Sequence, residues 1–153
     1  MQIKTPRLTI TTFSPDMAQS VYENSQDEET RRFVPDEVYD SVEEARAAIE
    51  FLLSRYDSTD GPFVYPIITN DSGKNIGYIQ ICKLEDGTWE IGYHIAKNFT
   101  GKGFATEAVK AFLPAMAQNH NLKEVYGICL AENIASVRSY RNMEAPVPFL
   151  KEK

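Results

Sequence analysis

The spacing of hydrophobic positions changes period twice along this chain, and those changes predict its elements. From Arg7 to Phe13, RLTITTF sets Leu8, Ile10 and Thr12 against Thr9 and Thr11, the alternation of a half-buried strand. Ser14 followed by Pro15 marks a helix start, continued by Met17, Ala18 and Val21. A short helix is expected from Asp27 to Phe33, stopped by Pro35. Ser41 and Glu44 make a capping box in SVEE, opening a helix that runs to about Tyr56. Val42, Ala45, Ala48, Ile49, Leu52 and Leu53 give that helix one apolar face.

After the turn-rich stretch from Asp57 to Pro62 the period falls to two. PFVYPIIT, KNIGYIQICKL and TWEIGYHIA read as three successive strands. NDSGK (Asn70 to Lys74) and EDGT (Glu85 to Thr88) supply the turns, so the three form an antiparallel meander. Helical spacing returns from about Lys102 to Asn119, with Phe104, Ala108, Phe112, Leu113 and Met116 on one side. Pro114 within it predicts a kink or an early end. The strand EVYGICL and a helix from about Asn133 to Met143 follow. With no repeat and no linker, residues 1–153 are expected to form one α+β domain. Its core is a mixed, largely antiparallel central sheet flanked by helices.

Composition removes several classes of function. No apolar run approaches the ~20 residues of a membrane span. MQIKTPRLTITTF lacks the apolar centre of a signal peptide, so a cytoplasmic location is the expectation. A net charge of −6 argues against nucleic acid, which needs a basic surface, and suits amine-bearing partners. The cysteines, Cys82 and Cys129, sit in apolar runs without CxxC spacing, and His94 and His120 are the only histidines. Buried free thiols and no metal site are expected.

The chemistry starts at NFTGKGFATEAV, Asn98 to Val109. Gly101, Gly103 and Ala105 leave backbone uncovered where a helix begins. The first N–H groups of a helix lack intrahelical partners, and the macrodipole makes that end positive. A phosphate can come close enough to accept from them, with Lys102 adding charge at the rim. A P-loop is excluded because GxxxxGK[ST] is absent. A dinucleotide fold is excluded because GKGFAT is incomplete and follows an antiparallel meander.

The run EIGYHIAKNFTGKGFATEAVKAFL resembles the acyl-CoA-binding motif of the GNAT acetyltransferase superfamily. More narrowly, the chain resembles the branch containing ribosomal-protein N-terminal alanine acetyltransferases. Thr5-Pro6-Arg7-Leu8 is similar to that branch's opening strand, and Glu132-Asn133-Ile134-Ala135-Ser136 to the start of its late helix. The resemblance implies acetyl-CoA as cosubstrate and an amine as acceptor. It implies that amides of Thr100, Gly101, Lys102, Gly103, Phe104, Ala105 and Thr106 cradle the pyrophosphate. It also implies that strand EIGYHIA splays from EVYGICL, so that backbone at His94, Ile95 and Ala96 pairs with pantetheine. Asn133 is a natural N-cap, and the resemblance places it on the CoA arm.

Two departures stand out. The superfamily pattern is [QR]xxGx[GA], and Thr100 occupies the Gln or Arg position, which predicts weaker or altered CoA binding. A further pair of strand segments usually follows the late helix, whereas this chain reads RNMEAPVPFLKEK. Pro146 and Pro148 argue against a regular central strand there. Residues 144–153 are thus an atypical, shortened segment. Either the sheet lacks the usual last strand, or a partner chain covers its edge in a homodimer.

Acetyl transfer to an amine needs a base, a donor to the carbonyl and an acid for the leaving thiolate. On TWEIGYHIA, Glu90, Gly92, His94 and Ala96 share one face, with Trp89, Ile91, Tyr93 and Ile95 in the core. Glu90 is the first candidate base, acting through water, and His94 the second. Ser136 and Tyr140 are four apart on one helix face. The resemblance puts Tyr140 where many GNAT enzymes keep the thiolate-protonating tyrosine. The acceptor pocket is expected near Arg31 to Tyr39 and Tyr56 to Tyr65, with Phe33, Tyr39, Phe63, Asp36 and Glu37 as candidate contacts. The leading reading is an acetyl-CoA-dependent N-acetyltransferase acting on a protein N-terminus or a small-molecule amine. A non-catalytic acyl-CoA-binding module is the alternative, and a protein-interaction domain without CoA a third.

Overall fold

The computed structural model describes residues 1–26, 38–127 and 150–152. Among these residues the backbone forms a seven-stranded sheet in which spatial order follows chain order. Strand β1 (Gln2–Lys4) and β2 (Leu8–Thr11) form an antiparallel pair on either side of the Thr5–Leu8 turn, where Pro6 stops the ladder. Strands β3 (Phe63–Thr69), β4 (Asn75–Lys83) and β5 (Trp89–Ile95) are the expected meander. Strand β6 (Val125–Gly127) then joins β5 in parallel, pairing Glu90 with Tyr126 and Ile91 with Gly127. Strand β7 (Leu150–Glu152) lies parallel to β6. Among the described residues, one three-residue strand therefore stands where the resemblance implies a pair, and it begins only after Pro146 and Pro148.

Helix α1 (Ala18–Asn24) follows a 3-10 turn at Pro15–Met17. Ser14 does not cap it as expected: its hydroxyl bonds to the Asp16 carboxylate and reaches no backbone amide. Helix α2 (Val42–Arg55) begins with the predicted box. Glu44 N donates to Ser41 Oγ at 3.1 Å, while the Glu44 carboxylate accepts from Asp40 N at 2.9 Å. Helix α3 (Phe104–His120) runs through Pro114 without the expected early end. Pro114 and Lys110 are both exposed, so the carbonyl that loses its partner faces water. The short helix expected over Asp27 to Phe33 and that over Asn133 to Met143 lie outside the described residues.

The period-two pattern sorts side chains between two cores. Toward α3, Ile79, Ile81, Ile91, Phe63 and Tyr65 pack against Ala108, Phe112, Leu113 and Met116, all buried. On the opposite face, Val64 meets Phe13, Ala18 and Ile49, with Tyr78 partly buried beside them. The sheet thus lies between α3 on one side and α1 with α2 on the other. A cavity opens on the second side.

Candidate active site

The cavity lies between α1, α2 and the β4–β5 face of the sheet, with a volume of about 200 Å³. Val21, Ile49, Leu52 and Val64 make much of its wall apolar, and Tyr39, Gln80, Cys82 and His94 bring polar atoms to it. Alternation explains the set: in YIQIC, Ile79 and Ile81 enter the core while Tyr78, Gln80 and Cys82 face the cavity.

Register then builds three cross-strand pairs on this face: Tyr78 with His94, Gln80 with Gly92, and Cys82 with Glu90. The rings of Tyr78 and His94 stack at 5.9 Å with 24° between planes. Gly92 has no side chain, and Gln80 fills the vacant place: a β-carbon at 92 would lie 3.1 Å from Gln80 Nε2. Glu90 and His94 lie on either side of that amide along the strand, about 14 Å apart at ~3.4 Å per residue. His94 lines the cavity; Glu90 shares the face but does not line it. Beside them β4 and β5 approach so closely at Gly77 that a β-carbon there would collide with the His94 carbonyl. Buried Asn75 fixes this corner, accepting from Gly77 N at 3.1 Å and donating to Ser20 Oγ at 3.1 Å.

At the cavity wall Ser25 and Gln26 hold the backbone of Tyr39. Tyr39 N donates to Ser25 Oγ at 3.2 Å, and Gln26 Nε2 donates to the Tyr39 carbonyl at 2.7 Å. Of the residues expected around the acceptor, Tyr39 lines the cavity. Phe63 does not. It is fully buried on the α3 side, stacked at 4.3 Å on His120, because its odd position in β3 points away from the cavity. Tyr56 is likewise structural: its hydroxyl donates to Val64 O at 2.5 Å and accepts from Phe13 N at 3.1 Å. Burial pushes the Tyr56 hydroxyl up to about 12, so it stays protonated. Arg31, Phe33, Asp36 and Glu37 lie outside the described residues.

Strand β5 leads directly into the glycine loop. Ala96 N donates to Ile76 O at 2.7 Å, and a 3-10 turn at Lys97–Phe99 follows. The Thr100 hydroxyl donates to Lys97 O at 2.7 Å and so closes this turn. Gly101 and Gly103 take φ of 75° and 80°, left-handed values that side chains rarely adopt. Gly103 is the N-cap of α3 and offers no side chain to its amides. Among the described residues no acceptor meets the N–H groups of Gly101, Lys102 or Gly103. Lys102 and Lys74 stand beside them, their ammonium groups 5.6 and 5.3 Å from the centre of the Phe99 ring.

The sequence candidates fall into three groups. Glu90 and His94 share one face of β5, but of the two His94 alone lines the cavity, and Ile95 and Ala96 carry the strand into the loop. Thr100 through Thr106 form the loop and first turn of α3. Asn133, Ser136, Tyr140 and Cys129 lie outside the described residues, as does the stretch of EVYGICL on which the splay would be judged. Sequence reasoning missed Gln80, Tyr78 and Cys82, although their alternation with isoleucine was visible. Cys82, expected to be buried, is half-buried on the cavity wall.

An amine-sized cavity on one strand face, with an uncapped glycine loop at that strand's end, is the layout of an acyl-CoA-dependent N-acyltransferase. The profile of the acetyltransferase (GNAT) domain matches residues 7–145, and the chain belongs to that family. It is 32% identical over 139 residues to YnaD, an uncharacterised N-acetyltransferase of Bacillus subtilis strain 168, covering 90% of this chain and 78% of the relative. Its fold is similar to that of a GNAT-family acetyltransferase from Bacillus anthracis, with a TM-score of 0.76 and 26% identity over 95% of this chain and 82% of the other. It is also similar to RimL, a ribosomal L7/L12 α-N-protein acetyltransferase solved with coenzyme A. There the TM-score is 0.79 at 17% identity, over 93% of this chain and 82% of RimL. The chain is an acetyl-CoA-dependent N-acetyltransferase; nothing in these likenesses favours a non-catalytic CoA-binding module.

Proposed function

We propose that residues 1–153 form one acetyltransferase domain that moves the acetyl group of acetyl-CoA to a primary amine by direct attack. The observation that carries this reading is the cavity on the β4–β5 face, opening beside the strand that leads into the glycine loop. The loop amides from Thr100 to Thr106 take the pyrophosphate, each charge-assisted hydrogen bond contributing about 1.5–3 kcal/mol. Backbone from His94 to Ala96 takes the pantetheine arm, and Asn133 contacts it from the late helix. The thioester then reaches the cavity from the β5 side and the amine from the α1–α2 side.

His94, on the cavity wall, accepts the amine proton and gives it to water, and Glu90, about 14 Å along the same strand face, acts only through a chain of waters. Ser136 and Tyr140 serve the leaving thiolate, Tyr140 as its acid. RimL, named for its action on a ribosomal-protein α-amine, supports a protein N-terminus as the acceptor. The small, mostly apolar cavity also fits a small-molecule amine. Screening peptides of differing first residue and small amines by mass spectrometry, with acetyl-CoA saturating, tests this. One acetyl group added to an α-amine is expected; acetylation confined to hydroxyls or thiols would overturn the reading.

We further place the enzyme in the cytoplasm as a homodimer. The acidic net charge supports the first. The three-residue β7, which leaves a short parallel edge, supports the second. Sedimentation should give twice the monomer mass at micromolar concentration, and a clean monomer would contradict it.

A further inference from the structure

The turn Thr5-Pro6-Arg7-Leu8 lies about a hundred residues before the glycine loop, yet it is built around a side chain of α3. The Glu107 carboxylate accepts from Thr5 Oγ1 at 2.5 Å, from Arg7 N at 3.0 Å and from Arg7 Nε at 2.7 Å. Thr5 Oγ1 in turn accepts from Leu8 N at 2.9 Å, which tightens the turn. Held this way, the Arg7 guanidinium extends onto the loop. Its Nη1 donates to the Lys102 carbonyl at 3.0 Å, and its Cζ lies 4.3 Å over the Phe104 ring. Its Nη2 would sit 3.5 Å from a β-carbon on Gly103.

We propose that Arg7 is a positioning residue for the acetyl-CoA pyrophosphate, holding the Lys102–Gly103 peptide so that the loop presents its amides to the ligand. This rests on the reading of residues 100–106 as the pyrophosphate loop. In a trans peptide the C=O and the following N–H point in opposite directions. A Lys102 carbonyl fixed toward Arg7 therefore turns the Gly103 N–H away from it, to the open side. Two glycines with positive φ give the loop many alternative conformations when unbraced, and the missing N-cap side chain does nothing to limit them. Arg7 also balances the Glu107 charge, which otherwise stands unopposed in the helix's first turn, facing an incoming anion. The bond to the carbonyl and the charge balance are separable.

Calorimetric titration of the full chain with CoA separates them, because it reads affinity and stoichiometry independently. Arg7→Ala is expected to raise Kd about tenfold, or about 1.4 kcal/mol, with stoichiometry unchanged. Arg7→Lys keeps the charge but cannot reach the carbonyl while lying flat on Phe104, so its Kd should fall between the two. It also carries the comparison should Arg7→Ala fail to fold. Arg7→Ala combined with Glu107→Ala removes the stranded charge but not the need for the brace, so affinity should recover only in part. Wild-type Kd in Arg7→Ala, lowered stoichiometry at unchanged Kd, or full recovery in the double variant would overturn the proposal. Failure of the wild-type chain to bind CoA would instead strike the loop reading on which it rests.

Discussion

Gln80 lies across the bare Cα of Gly92, with Nε2 3.1 Å from where a β-carbon would stand. The contact places a side-chain amide on the strand face between Glu90 and His94, at the wall of the cavity. Gly92→Ala should move that amide by a few tenths of an ångström and slow acetyl transfer by about 3- to 10-fold, since small displacements at a reacting centre cost heavily. CoA affinity should stay at the wild-type value, because the loop is not touched. Combining Gly92→Ala with Gln80→Ala separates displacement from simple crowding. Single-turnover rates alongside CoA titrations check both.

Gly77 answers to a harder constraint. A β-carbon there meets the backbone carbonyl of His94, which cannot swing aside as a side chain does. Gly77→Ala should destabilise the fold by about 2–4 kcal/mol. Urea unfolding gives the value directly, and a change under about 0.5 kcal/mol would contradict the close approach.

His94 and Glu90 differ in their relation to the cavity, and their variants should differ too. His94→Gln should slow transfer by about 10²-fold or more, in the range of a lost general base. Glu90→Gln, further from the amine, should cost about 10-fold. Rate profiles against pH are the check: with His94→Gln the acidic limb should reduce to that of the acceptor amine alone, and with Glu90→Gln it should only weaken.

Glu107 makes stability depend on pH. Burial pulls its carboxyl up, but hydrogen bonds from Thr5 and Arg7 and the Arg7 charge outweigh it and hold the group below its ordinary value. A carboxyl depressed in the folded state stabilises the fold above its unfolded value of ~4.3, and that contribution is lost as pH falls through the folded value. The stability gap between wild type and Glu107→Gln should be full and level above the unfolded carboxyl value of ~4.3 and narrow as pH falls from there through the lower folded value. A gap that stays constant across this window would contradict it.

Much of the frame was legible because period and turn chemistry agree along the middle of the chain. The isoleucines of β4 and β5 alternate with polar residues, and NDSGK and EDGT can only be turns, so the meander and its two faces follow. Ser41 and Glu44 marked the start of α2 for the same local reason. What escaped depends on contacts that no window of sequence contains. Ser14 lost its capping role to Asp16, two residues on. Pro114 stays within a helix because the freed carbonyl faces solvent. Phe63 reads as a candidate pocket aromatic until register places it under His120. The Thr5–Leu8 turn could be recognised as a family mark, but its hold on Glu107 across the chain could not.

The central claim is that this chain transfers acetyl groups from CoA to amines, and release of free CoA thiol tests it most directly. Acetyl-CoA is incubated with the full chain and a panel of peptide N-termini and small amines, and thiol is followed with time. The account predicts release that depends on both enzyme and amine, rises with amine deprotonation and falls with His94→Gln. Saturable CoA binding with no amine-dependent release on any acceptor would contradict it.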